Sequence, residues 1–80
     1  MIYNQYKYEL LSIINMELDK KNYNNRIVDC LSYFSSLVKD LEYDIDDTAS
    51  NIRLAFDNNM TSYIDGFLFS LKKDILDSMN

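Results

Sequence analysis

Residues 26–42 read RIVDCLSYFSSLVKDLE, and their spacing decides the fold class. Ile27, Cys30, Leu31, Phe34, Leu37, Val38 and Leu41 recur three and four apart, while Ser32, Ser35, Ser36, Lys39 and Asp40 fall mostly between them. That period matches the 3.6-residue turn of an α-helix, so the stretch predicts an amphipathic helix over 26–42 with one face to be buried.

The same period continues on both sides. Upstream, Tyr3, Tyr6, Leu10, Ile13 and Ile14, widened by Leu11 and Leu18, predict a helix over 3–18, with Lys20 and Lys21 near the negative end of its dipole. Between these helices, Lys20 to Asn25 reads as a loop, and Asn24 or Asn25 is expected to cap the next helix. Downstream, Ile52, Ala55 and Phe56 give an apolar edge to a shorter helix over 48–57, with Ile45 beneath its start. Asn58-Asn59 reads as a turn. A last helix begins at Thr61 or Ser62 and runs to Met79 on Ile64, Phe67, Leu68, Leu71, Ile75 and Met79. Ser62 and Asp65 form a weak capping box there. Gly66, inside that helix, is either a tolerated exposed glycine or the mark of a close helix approach.

The expected architecture is therefore all-α: a single domain over 1–80, built as a small antiparallel bundle of four helices. The third is short, and if it merges with the fourth the bundle has three. Composition agrees. The 80 residues are 48% apolar, with one glycine and no proline, which disfavours turn-rich sheets.

Several function classes are disfavoured at once. The chain has no histidine, so Ser-His-Asp and Cys-His nucleophile systems are excluded, and the usual zinc ligand sets fail with them. One glycine cannot build a phosphate loop. The expectation is no enzyme, no cofactor and no metal. A net charge of −5, with Lys and Arg scattered, argues against nucleic acid. No apolar run is long enough for a membrane span, Lys7 and Glu9 interrupt any signal-like segment, and a cytoplasmic location is the default. Cys30, the single cysteine, lies on the apolar stripe and is expected to act as a small core hydrophobe.

The stretch from Asp40 to Asp47 is the least ordinary. Asp40, Glu42, Asp44, Asp46 and Asp47 place five carboxylates in eight residues, with Tyr43 among them. Two like charges at 4 Å repel by about 1 kcal/mol in water, and by more near a protein surface. Three readings compete. In the first, Asp44, Asp46 or Asp47 caps the start of the third helix, and the remaining acids sit on a solvated loop. Asp44, Asp46 and Thr48 also mimic the opening of an EF-hand calcium loop, but Ala49 and Ala55 stand where that loop needs Gly and Glu. Finally, carboxylates around a tyrosine suit a surface that meets a basic protein, with Tyr43 as the anchor.

Tyrosine use bears on the third reading. Among the seven tyrosines, Tyr3, Tyr6, Tyr33 and Tyr63 are expected at the core edge, whereas Tyr8, Tyr23 and Tyr43 fit the stripes less well. The function expected from these features is that of a small acidic inhibitor: an immunity protein that neutralises a nuclease-type bacterial toxin. The alternatives are a phage-encoded inhibitor of a host defence system, or a helical regulatory or structural module that forms a homodimer through surplus apolar surface on its first and last helices.

Overall fold

The computed structural model describes residues 2–20, 23–41 and 44–79, with the side chains of Ile2 and Tyr3 excepted. The chain is all-α. Among the described residues four α-helices follow one another: α1 (Ile2–Lys20), α2 (Arg26–Ser35), α3 (Ile45–Asp57) and α4 (Ile64–Ser78), the last entered through a 3₁₀ turn at Thr61–Tyr63. Helix α1 packs against α2 and α4, and so does α3, while the diagonal pairs do not approach one another. The four helices thus form a closed ring around one core.

That core draws on every helix. Leu10, Leu11 and Ile14 come from α1, Ile27, Val28, Leu31 and Phe34 from α2, Ile45, Ala49, Ile52 and Ala55 from α3, and Ile64, Leu68, Leu71 and Ile75 from α4. Each set follows the three-and-four spacing of its own segment. Tyr6, Ile13 and Leu18 close its margin. Cys30 packs at this margin too, half-buried rather than fully enclosed, and burial followed by the nearby Glu17 charge raises its pKa.

Two boundaries shift by three residues or more from the sequence reading, and one expected cap is not made. Helix α2 stops at Ser35 instead of running to 42. The hydroxyls of Ser35 and Ser36 donate to the carbonyls of Ser32 and Tyr33 at 2.7 and 2.8 Å. Such bonds compete with the backbone ladder at a helix end. The apolar period nevertheless continues past the helix, because Val38 is buried and Leu37 and Leu41 are half-buried in the connection. Helix α3 starts three residues early, at Ile45, because Asp44 caps it there. The Ser62–Asp65 capping box does not form: no side chain caps the start of α4, and Asp65 accepts a hydrogen bond from the Tyr23 hydroxyl instead.

Other local expectations hold. Asn25 holds the N-cap position of α2 without a side-chain bond, and Asn24 accepts from the Arg26 amide at 2.8 Å, tying off an unpaired donor there. At the end of α3, Asn59 adopts a left-handed φ of 54°. The Met60 amide donates to the Ala55 carbonyl at 2.7 Å and the Asn59 amide to the Phe56 carbonyl at 3.2 Å. This is the Schellman pattern, with asparagine in the place glycine often takes.

Gly66 is exposed, and a Cβ built on it would meet nothing within 4 Å. No helix approaches it closely. Gly66→Ala is therefore expected to stabilise the fold by about 0.5–1 kcal/mol, since alanine restricts the unfolded chain and suits a helix interior. A thermal melt reads this as a higher midpoint, and a lower one would contradict the placement.

Candidate functional site

The connection between α2 and α3 and the first turn of α3 carry the acidic stretch, and each described carboxylate in it has its own role. Asp40 receives a salt bridge from Lys7, with Nζ to Oδ2 at 2.9 Å. Lys7 is only 1% exposed, whereas the Asp40 side chain is 43% exposed. The pair therefore ties the connection to α1, and one of the five acids is partly neutralised. Nothing in the acidic stretch announces this partner. The signal lay in α1: Lys7 stands three residues before Leu10 and seven before Ile14, on the face that must be buried. A lysine there needs a carboxylate or a route to water.

Asp44 is the N-cap of α3. Its backbone is extended (φ −72°, ψ 129°), and its side chain accepts from the Asp46 amide at 2.9 Å. Asp46 and Asp47 follow in the first helical turn, where negative charge favours the positive end of the dipole. All three are exposed. Glu42 and Tyr43 lie outside the described residues, so the proposed aromatic anchor is among the positions left undescribed. Asp44→Ala is expected to cost about 1 kcal/mol, the usual value of an N-cap, visible as a lower denaturation midpoint.

The calcium reading loses its geometry. Asp46 and Thr48, which were to be loop ligands, stand inside α3. Among the described residues no three of His, Cys, Asp and Glu gather closely enough to hold a metal ion.

Beneath the acids is a cavity of about 260 Å³, lined by Ser35, Val38, Lys39, Leu41, Asp44, Ile45 and Asp46. Lys39 is exposed at its edge and offsets part of the negative charge. With Asp40 held by Lys7, the free charge of the described acidic edge is carried by Asp44, Asp46 and Asp47.

A second concave surface was not anticipated. Asn51, Leu54, Ala55, Asn58, Met60, Tyr63 and Phe67 line an open cavity of about 270 Å³ between α3 and α4. Leu54 is 58%, Met60 44% and Tyr63 57% exposed. The sequence reading put Tyr63 and Tyr33 at the core edge, but both project into solvent. Tyr33 stacks edge-on against Phe34, with ring centroids 5.3 Å apart. Tyr23, read as a poor fit to the core, does pack against it and donates to Asp65. Burial, then the Asp65 bond and charge and the charge of Glu17, raises the Tyr23 pKa. The missed signal for the second surface was Leu54 and Met60, which break the polar pattern of their segment.

No family of known proteins, no characterised protein and no solved structure matches the chain. The functional reading therefore rests on its own chemistry. Among the described residues no helix is long and apolar enough to cross a membrane.

Proposed function

We propose that the chain is a small protein-binding antagonist: an immunity protein that neutralises a nuclease-type bacterial toxin by occupying or flanking its basic cleft. The observation that carries this reading is the exposed acidic edge at the start of α3, where Asp44 caps the helix and Asp46 and Asp47 stand on its first turn, within a chain of net charge −5. Carboxylates fixed in this way complement the lysines and arginines of a nucleic-acid cleft and speed encounter with it. Inhibition would be steric and electrostatic, needing no catalytic group in the inhibitor. Asp40 plays a lesser part than its sequence position suggests, since Lys7 already holds it. Glu42 and Tyr43 belong to the same connection and complete the proposed contact set.

The test begins with the gene beside this one and with affinity capture of its product. If that product is a nuclease, adding the chain in equimolar amount is expected to stop DNA or RNA cleavage. The Asp46→Lys/Asp47→Lys double variant should weaken inhibition at least tenfold at low salt, a change of about 1.4 kcal/mol or more. A captured partner whose binding is untouched by that charge reversal would place the interface elsewhere. Binding of the chain itself to DNA would overturn the reading.

A further inference from the structure

The trough between α3 and α4 shares Asn51 and Phe67 with a neighbouring cavity of about 220 Å³, lined also by Thr48, Ser70 and Leu71. Thr48 thus lies level with Ser70 and Leu71, while Asn58 lies level with Tyr63. The two helices run antiparallel, and the trough follows them along about three turns. Every residue lining it is uncharged.

Its two ends differ in chemistry. At one end the Schellman turn brings Met60 beside Ala55, and Leu54 and Tyr63 rise on either side. At the other end stands the first turn of α3. At 100° per residue, Asp47 shares a face with Asn51, Leu54 and Asn58, whereas Asp46, Arg53 and Asp57 turn to the opposite flank. Asp47 is therefore the charge that α3 offers to this rim. On α4, Asp74 follows Phe67 and Ser70 on the same face and is buried, while Lys73 and Asp77 turn toward the flank.

We propose that this trough seats an amphipathic segment of the basic partner, with its apolar side chains on Leu54, Met60 and Tyr63 and a lysine or arginine beside Asp47. The inference rests on the function proposed above and names where that partner's apolar residues go. Exposed large apolar side chains gathered along one rim mark an interaction surface, and an amphipathic segment is what a groove between two helices accepts. Charge selects the occupant. A second copy of this chain would bring a further net charge of −5 to an already acidic end, while a cationic segment relieves it.

The experiment is an amide-resolved NMR titration of the ¹⁵N-labelled full chain with a synthetic amphipathic helix of leucine and lysine, and with its leucine–glutamate counterpart. Saturable shifts at Thr48, Asn51, Leu54, Asn58, Tyr63 and Phe67 are expected with the lysine peptide. Binding of the glutamate peptide should be at least tenfold weaker. Leu54→Ser and Tyr63→Ser should each weaken the lysine peptide about tenfold, and because both residues are exposed, the rest of the spectrum should stay in place. Shifts confined to 38–41 and Asp46 would overturn the trough and leave the electrostatic reading standing. Trough shifts that grow with protein concentration and without peptide would assign the surface to a second copy and overturn the proposal. Absence of shifts with either peptide would overturn the trough, and the basic-partner reading would then be decided by the charge-reversal test alone.

Discussion

Asp40→Ala is expected to destabilise the fold by about 2–3 kcal/mol, whereas Lys7→Met should change it by less than about 1 kcal/mol. The asymmetry follows from burial. Lys7 is enclosed along its whole length, and its ammonium meets Asp40 at 2.9 Å. Removing the carboxylate strands a buried cation, which costs about 3–5 kcal/mol where both partners are buried. Asp40 is 43% exposed, so water screens the pair and reaches part of the site, which places the cost at the lower end. Removing the lysine is different. Asp40 is left facing solvent, and methionine refills most of the volume of the lysine stem. Urea titrations of the two variants check this. Equal losses, or a larger loss for Lys7→Met, would show that the pair does not anchor the connection.

Ile52→Ala is expected to cost about 3–4 kcal/mol, the middle of the range for a fully buried large-to-small change. Ile52 has no exposed surface, and it sits in the middle of α3, the helix that packs against both α2 and α4. A domain of this size has about 4–12 kcal/mol of total stability, so the variant should lose a large fraction of it. The consequence is functional as well, because α3 carries the acidic edge on its first turn and one wall of the trough along its length. Partner binding should therefore weaken near the new melting midpoint and stay close to normal well below it. Calorimetry gives the midpoint, and binding measured at two temperatures separates a folding effect from a contact effect.

How much of this was legible in the sequence depended on whether the cause was local. The four apolar stripes are local, and they identify most of the core. Asparagine turns are local too, and Asn58-Asn59 ends α3 as its residue type suggests. The end of α2 was misread because burial, not helicity, sets the apolar period: Val38 and Leu41 still turn inward after the backbone has unwound at Ser35-Ser36. The Lys7–Asp40 pair spans 33 positions, and only the fold brings its partners together. The trough depends on two helices at once. Tyr63 is amphipathic enough to be expected at the core edge, yet its place in the 3₁₀ turn leaves it exposed. Of the acidic stretch, Asp44 turned out to be a cap, Asp40 an ion-pair partner, and Asp46 and Asp47 the exposed remainder.

The association rate of the chain with its captured partner, followed across ionic strength, tests the central claim most directly. Attraction between the α3 edge and a basic cleft predicts a rate that falls steeply as salt rises, and a rate for Asp46→Lys/Asp47→Lys that is slower at low salt and nearly flat. A rate that ignores salt and is the same for both proteins would contradict it.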